Sequence, residues 1–211
     1  MVTDPPYSSG GLFASDRQGK TSVKYVNSNS FKVYPEFAGD NRDQRSHGYW
    51  SSLWLSLAFA RTQANGYCAV FTDWRQFPVT SDALQAGGWV WRGSVVWDKT
   101  EACRPVRGRF RSQAEYVLVG SKGRFPLSGP SPAGVIRCRV NPKEKQHIAG
   151  KPVSVMDHLL SIARPGSVVL DPFMGSASTG VASLPRGLRF IGIESDPAYY
   201  EVACRRLREA G

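Results

Sequence analysis

A chain of 211 residues, 41% of them hydrophobic, is long enough to bury one well-packed core and short for two domains. The charged fraction of 21% is too low for a disordered polyelectrolyte, and no apolar run reaches the length of a membrane span. The acidic Asp4 and the lack of a following apolar stretch argue against a secretory signal. The four cysteines are far apart without a C-x-x-C pair, so we expect neither a metal site nor a disulfide framework, and we expect a cytoplasmic protein.

The net charge of +10 is concentrated in one part of the chain. Between Glu101 and Lys151, eleven lysines and arginines stand against three glutamates, a local excess of +8. Such a run is either a solvated face or a surface that attracts phosphate groups with salt-sensitive affinity. Besides Lys151, its members are Arg104, Arg107, Arg109, Arg111, Lys122, Arg124, Arg137, Arg139, Lys143 and Lys145.

Apolar periodicity and turn residues predict alternating helices and strands. Residues 8–47 are rich in Ser, Gly and Asn and predict a long flap, and residues 121–146 predict a short basic insert of loop structure. The other predicted elements, in chain order, are a helix over 49–63, a strand over 67–73, a helix over 81–86, strands over 94–98 and 115–120, a helix over 153–163, a strand over 168–171, a helix ending near 184, a strand over 190–194, and a helix from an N-cap at Ser195 or Asp196 to about 209. This order predicts one α/β domain over 1–211, with a mostly parallel sheet covered by helices on both faces.

The first unusual local sequence is Asp4-Pro5-Pro6-Tyr7. Two prolines fix φ and remove two backbone donors, so the Asp4 and Pro5 carbonyl groups point outward without strand partners. Such a turn at the end of a strand can accept hydrogen bonds from an amino group and offers the Tyr7 ring for stacking. The alternative is a surface turn that contains an aromatic residue by chance.

A second acidic pair, Asp171 and Glu194, lies far down the chain, and each residue ends a predicted strand. Ligands of parallel sheets bind beyond the carboxyl ends of the strands, so this pair is typical of a nucleoside site in which the second acid accepts ribose hydroxyls. The loop after Asp171 fits neither G-x-G-x-x-G nor G-K-[ST], and no lysine is placed for a β- or γ-phosphate. A ligand with ribose but no pyrophosphate is therefore favoured, and S-adenosylmethionine is the common one. The alternative is an ordinary βαβ turn with helix-capping acids.

Together these segments resemble the amino-methylating DNA methyltransferases. Asp4-Pro5-Pro6-Tyr7 is similar to the family's catalytic D-P-P-Y, and the segment Asp171-Pro172-Phe173-Met174-Gly175-Ser176 to its D-P-F-x-G-S cofactor loop. His147, Lys151 and Pro152 resemble the H-x-x-x-K-P segment that caps the cofactor pocket. Trp97-Asp98-Lys99 and Glu115-Tyr116-Val117-Leu118 look like its later core strands, and Phe190 to Glu194 like its ribose-binding strand. The catalytic motif precedes the cofactor motif, which is the circularly permuted, beta-class order.

The resemblance implies a Rossmann-like, S-adenosylmethionine-dependent methyltransferase sheet with one antiparallel strand, and no metal or catalytic cysteine. Asp4 and the Pro5 carbonyl would accept the two hydrogens of an exocyclic amino group, with Pro6 completing the turn and Tyr7 stacking on a flipped base. The residues that the resemblance places around the cofactor are Thr3, His147, Lys151, Pro152, Asp171, Pro172, Phe173, Gly175, Ser176, Ala177 and Glu194.

The resemblance also bears on the substrate. Asp at position 4 favours adenine N6, because the cytosine-N4 relatives more often carry Ser there. Methylation of cytosine N4 or of RNA stays open, as does a catalytically silent nucleic-acid-binding protein on the same scaffold. The expected partner is DNA, as a duplex with a flipped base or as a single strand. The basic patch from Arg104 to Lys145 is expected to bind its phosphates. Because the 121–146 insert is too small for a recognition domain, we expect short or relaxed sequence specificity and a stand-alone, phage-type enzyme.

Three features depart from the family pattern. Ala177 stands where relatives usually have a second glycine. The strand before Asp4 has only three residues, and no further strand follows the last helix. We expect the sheet to be shortened at that edge and a homodimer to cover it.

Overall fold

The computed structural model describes residues 1–8, 41–103, 105–125, 129–140 and 150–211. A five-stranded sheet has the order β1–β2–β4–β3–β5, with β1 at Val2–Thr3, β2 at Tyr67–Thr72, β3 at Val90–Asp98, β4 at Ala114–Ser121 and β5 at Val135–Arg137. Only β4 is antiparallel to its neighbours in this sheet. A second, parallel pair consists of β6 (Val168–Asp171) and β7 (Arg189–Gly192). The predicted fold class, a mostly parallel sheet with an antiparallel strand, is confirmed.

Helices cover both faces of the sheet, as predicted. Along β2, alternate side chains point to opposite faces, so Ala69 and Phe71 pack with α3 (Val153–Leu160), whereas Cys68 and Val70 pack with α1 (Gln44–Arg61) and α2 (Phe77–Ala86). α4 (Ser178–Ser183) contributes Ala182 to the core on the α3 side, and α5 (Pro197–Ala210) packs Ala203 against Met174. The core is therefore two apolar layers on either side of one sheet.

Several element boundaries differ from the prediction for local reasons. α1 begins five residues earlier, because the Asp43 side chain accepts hydrogen bonds from the backbone N–H groups of Arg45 and Ser46. β5 lies inside the segment predicted as loop, and its Ile136 is buried beside Trp97. The N-cap of α5 is Asp196, as predicted.

Some predictions fall on parts of the chain outside the described residues. These are most of the 8–47 flap, parts of the 121–146 insert, and the site residues Arg104, Lys143, Lys145 and His147. Ile191 of β7 and Ile193, which directly follows β7, are exposed, and the homodimer expected at this edge stays a prediction. No helix within the described ranges is both long and apolar enough to cross a membrane.

Lys122 caps α1 from the far end of β4. Its ammonium group donates hydrogen bonds to the carbonyl groups of Phe59 and Thr62, both at 2.8 Å, and lies 4.6 Å from the Phe59 ring centroid. We expect Lys122→Met to lower the free energy of unfolding by about 1–2 kcal/mol, because two helix carbonyls lose a charged donor. Urea denaturation measures the effect, and the exposed Arg124→Met is the matched control, with no change expected. Equal stability of the two variants would contradict this role.

Candidate active site

Strand direction brings the chemically important side chains to one edge of the sheet. Asp4 directly follows β1, Asp171 ends β6, and Lys99 directly follows β3. The antiparallel β4 runs the other way, so its first residues, including Glu115, reach the same edge. In this class of sheet the carboxyl edge is where ligands bind.

Asp4 is held by two donors. The Tyr7 hydroxyl donates to Asp4 Oδ1 at 2.7 Å, and Lys151 Nζ donates to Oδ2 at 2.7 Å. Lys151 leaves only 7% of its side chain exposed, and it also lies over the Tyr7 ring, 5.1 Å from the centroid. A carboxylate has about four acceptor positions, so each Asp4 oxygen keeps one for a further N–H group.

Two residues that the sequence placed only in core strands join this network. Glu115 Oε2 is the second, longer acceptor for the single Tyr7 hydroxyl proton, at 3.2 Å, and pairs with Lys151 Nζ at 3.3 Å. Its other oxygen, Oε1, pairs with Lys99 Nζ at 3.1 Å. Two lysines and two carboxylates thus alternate within one cluster. The sequence signal that could have identified them is a charged residue at a strand boundary: Lys99 directly follows one predicted strand, and Glu115 begins the next.

The charges in this cluster shift one another's pKa values. Burial raises the pKa of Asp4; Lys151 opposes this rise and Glu115 adds to it. For Glu115, burial acts upward, but Lys151 and Lys99 outweigh it and set its pKa at about 2. For Lys151, burial acts downward, but Asp4 and Glu115 outweigh it and raise its pKa. Burial, followed by the negative charge of Asp4, raises the pKa of Tyr7, which therefore stays a hydrogen-bond donor.

Asp171 connects the second half-site to the first. Its Oδ1 accepts from the Thr3 hydroxyl at 2.7 Å, and its Oδ2 accepts from the Thr179 hydroxyl at 2.7 Å. Burial raises the pKa of Asp171 to about 6, although both threonine hydroxyls oppose the rise. Thr3 is fully buried and immediately precedes Asp4, so its bond to Asp171 fixes the distance between the two predicted half-sites.

The loop after Asp171 is shaped by its own side chains and by α5. Gly175 donates its backbone N–H to Glu194 Oε2 at 3.0 Å, and Glu194 Oε1 accepts from the Asp196 backbone at 2.9 Å. Arg206, on α5, donates to the carbonyl and the hydroxyl of Ser176. The Gly175 N–H and the Glu194 carboxylate, both predicted to contact a nucleoside, are therefore direct neighbours.

One cleft joins the two half-sites. Asp4 and Lys151 line it from one side, and the loop after Asp171 lines it from the other. Its full lining is Asp4, Gly150, Lys151, Met156, Asp171, Phe173, Met174, Gly175, Ser176, Ser178 and Thr179.

Two tryptophans of α1 pack against the loop after Asp171 from outside the predicted motif. The Phe173 ring packs against Trp50 and Trp54, with centroid distances of 5.4 and 5.1 Å. Sequence periodicity indicated these tryptophans only as one face of a helix. The structure adds that α1 packs against the loop that lines the cleft.

The predicted nucleic-acid contacts lie at different edges of the sheet. Arg107, Arg109 and Arg111 lie between β3 and β4 at the edge that carries Asp4, and Arg137 and Arg139 lie at or after the end of β5 at the same edge. Lys122 and Arg124 follow the opposite end of β4, roughly 20 Å from Glu115. Lys122 also caps α1, so Lys122 and Arg124 lie away from the edge of the sheet that carries Asp4.

Ala177 adopts a left-handed backbone conformation, with φ of 58° and ψ of 36°, at the N-cap of α4. A glycine is unstrained there, which gives a physical reason for the glycine that relatives usually have at this position. We expect Ala177→Gly to stay within about 1 kcal/mol of the wild-type stability, because relief of about 1–2 kcal/mol of strain offsets a lost methyl group and added chain entropy.

The matched control is Ala182→Gly, which removes a buried methyl group from right-handed helix without any strain to relieve. It should cost about 1–2 kcal/mol in thermal or urea unfolding. If Ala177→Gly is the more damaging of the two, the strain at Ala177 is not significant.

Comparison with known proteins identifies the family. A family model described as DNA methylase matches residues 1–205. YubD of Escherichia coli (strain K12) is 29% identical over 208 residues, which cover 98% of this chain and 80% of YubD. The type II methyltransferase M.SmaI of Serratia marcescens is 33% identical over 144 residues, covering 59% of this chain and 49% of the relative.

Two solved structures share the fold of this chain. The M1.HpyAVI–SAM complex has a TM-score of 0.69 and 22% identity, covering 98% of this chain and 86% of that chain. The cytosine-N4-specific PvuII DNA methyltransferase has a TM-score of 0.71 and 16% identity, covering 97% of this chain and 78% of that chain. The chain belongs to the N6/N4 DNA methylase family.

Proposed function

We propose that the protein transfers a methyl group from S-adenosylmethionine to the N6 amino group of an adenine that has been flipped out of DNA. The observation that carries this proposal is the single cleft lined on one side by Asp4 and Lys151 and on the other by Asp171, Phe173 and Gly175. A methyl donor and an acceptor base must meet at such a junction. The known relatives support methylation of an amino group in DNA, and the choice of adenine is ours.

The residues of the second half-site fit a nucleoside cofactor. The Glu194 oxygens each accept one backbone N–H and keep further lone pairs for ribose hydroxyls. A side chain at Gly192 would overlap Met174, since a Cβ built there lies 2.2 Å from the Met174 sulfur. Position 192 therefore has no room for a side chain, and Met174, which lines the cleft, occupies that space. We assign Asp171, Phe173, Gly175 and Glu194 to the cofactor, which supplies an electrophilic methyl group on a sulfonium sulfur when bound.

Asp4 acts on the acceptor nitrogen. The lone pair of an exocyclic amino group is delocalised into the ring, which makes it a poor nucleophile. An amino group that donates one hydrogen to Asp4 and one to the Pro5 carbonyl is drawn toward pyramidal geometry, and the carboxylate stabilises the positive charge that develops on nitrogen. The nitrogen would gain the methyl group as the bond from that methyl to the sulfonium sulfur breaks and leaves a neutral thioether, and the surplus proton on nitrogen would pass to the Asp4 carboxylate and then to solvent. Tyr7 presents its ring to the base, while its hydroxyl fixes Asp4.

Lys151, Glu115 and Lys99 hold Asp4 in this role. Both Asp4 oxygens are anchored, so the carboxylate does not rotate freely, and a fixed geometry is what the reaction needs. Glu115 holds Lys151 and Tyr7 together, and Lys99 neutralises Glu115. The four charges of the site therefore balance one another.

Two finer features of the proposal come from the sequence motifs. The Asp4 motif precedes the Asp171 motif, which supports the permuted, beta-class order. The D-P-P-Y motif favours adenine, whereas the fold likeness to PvuII DNA methyltransferase keeps cytosine N4 as the second candidate. The short insert before Lys151, part of which is taken up by β5, supports short or relaxed sequence specificity and a stand-alone enzyme.

Asp4→Ala tests the function. We expect it to reduce methyl transfer at least about a hundredfold, because the developing charge loses its acceptor. Binding of cofactor and DNA should persist, since Lys151 keeps its pair with Glu115 and is not left as an isolated buried charge. Labelled S-adenosylmethionine is incubated with unmethylated duplex DNA, single-stranded DNA and RNA, followed by nucleoside mass spectrometry.

The products separate the alternatives. N6-methyladenine in DNA, absent with Asp4→Ala, supports the proposal. N4-methylcytosine, or a product only in RNA, keeps the mechanism and changes the substrate. Binding of cofactor and DNA without any product from the wild type points to a silent scaffold and contradicts the proposal.

Glu115→Gln and Lys99→Met test the charge network through pH. Asp4 must be ionised to accept the amino hydrogens, so activity falls on the acid side as Asp4 is protonated. Glu115 raises the pKa of Asp4, so Glu115→Gln should move the acid limb of kcat/KM to lower pH. Removing the Lys99 cation should move it to higher pH. Both variants should also lower kcat, and acid limbs that stay in place would contradict the electrostatic role.

A further inference from the structure

The loop between β3 and β4 carries a fully exposed aromatic side chain. Phe110 has a relative exposure of 101%, above that of every other exposed large hydrophobic residue in the described part of the chain. The backbone turns just before it, at Gly108 with φ of +71°, and the Arg109 N–H bonds to the Val106 carbonyl at 3.2 Å. No contact of the protein core requires a phenylalanine at this position.

The base of this loop is well fixed. The Lys99 backbone N–H donates to the Gln113 carbonyl at 2.8 Å, and the Gln113 amide donates to Asp98 Oδ1 at 3.1 Å. The Arg111 guanidinium donates to the Cys103 carbonyl at 3.0 Å and so joins the two sides of the loop. Phe110 is therefore presented from an ordered base rather than from a free coil.

The surroundings of Phe110 are basic. Arg107 and Arg109 are exposed in the same turn, and Arg111 follows Phe110 directly. The one acidic residue of the loop, Glu101, pairs with Arg137 at 3.0 Å. An exposed ring among arginines matches surfaces that stack on bases while holding phosphates.

The loop also lies beside the catalytic cluster. Glu115, which contacts Tyr7 and Lys151, is two residues after Gln113 at the base of the loop. Phe110 is three residues before Gln113, which gives it a reach of roughly 10 Å from that base. The Phe110 turn therefore extends from the same edge of the sheet as Asp4, where DNA that presents a base to Asp4 would bind.

We propose that Phe110 is a wedge that inserts into the DNA base stack next to the target base and stabilises the flipped state, while Arg107 and Arg109 hold the adjoining phosphates. This inference rests on the proposed function. A base leaves the duplex only at the cost of stacking and pairing, and apolar wedges from other DNA-binding proteins stabilise such distortions. The occupant of the surface is duplex DNA, and the ring contacts bases rather than another protein.

The test compares Phe110→Ala and Phe110→Trp with Leu57→Ala, which removes a side chain of 69% exposure from α1. Each variant is assayed on two duplexes that carry a target site mapped from the wild-type product. In one the target base is paired, and in the other it faces an abasic site and is already loosened. Because Phe110 is fully exposed, the melting temperature of Phe110→Ala should equal that of the wild type.

We expect Phe110→Ala to lower kcat/KM on the paired duplex about tenfold to a hundredfold, with little loss on the abasic duplex. Phe110→Trp should retain activity on both, and Leu57→Ala should match the wild type. Equal activity of Phe110→Ala and the wild type on the paired duplex, or an equal loss on both duplexes, overturns the wedge. A wild type that methylates no DNA instead overturns the proposed function.

A binding measurement that needs no turnover tests the arginines. Replacing Arg107 and Arg109 by Ala should reduce the slope of log affinity against log salt concentration by about 2, one for each phosphate contact. Arg124→Ala, at the opposite edge of the sheet, should leave the slope unchanged. A slope unaffected by the double replacement, or reduced equally by Arg124→Ala, overturns the phosphate contacts.

Discussion

The structure depends on one buried cation. Lys151 lies between Asp4 and Glu115, with 7% of its side chain exposed, and its ammonium group pairs with both carboxylates. Without a cation between them, two neighbouring buried carboxylates would repel each other, and one of them would take up a proton. With Lys151 between them and Lys99 beyond Glu115, the cluster holds two positive and two negative charges. The site can therefore keep an ionised carboxylate in a position that water barely reaches.

A buried hydrogen bond links this cluster to the loop after Asp171. The Thr3 hydroxyl bonds to Asp171, so the last residue of β1 is tied to the last residue of β6. Asp4 follows Thr3 and the cofactor loop follows Asp171, which makes the spacing between the two half-sites a property of adjacent strand ends. β1 has only two residues, but both are fully buried, and its position is fixed by β2 on one side and by Asp171 on the other. A short strand is thus sufficient to place the D-P-P-Y turn.

The buried network around Asp4 and the exposed β3–β4 loop have different roles in our proposal. The buried network orients Asp4, and the tryptophans of α1 support Phe173. The β3–β4 loop, in contrast, presents Phe110 and its arginines to solvent from a fixed base. In our proposal the first part performs the transfer, and the second keeps the target base available to it. Both parts begin at the same edge of the sheet, because β3 ends there and β4 starts there.

The sequence by itself determined the alternation of strands and helices, the two acidic motifs and the basic segment. These depend on local patterns: apolar periodicity, proline and glycine positions, and the spacing of Asp171 and Glu194. Only the tertiary structure decided which side chains meet. Glu115 and Lys99 appeared as ends of core strands, and their link to Asp4 follows from the direction of β4, which no local pattern encodes. Lys122 belonged to the basic segment by sequence, but the same strand direction places it at the far edge, where it caps α1. Charge along a chain is a one-dimensional property, whereas the partners of each charge are set by the order and direction of strands.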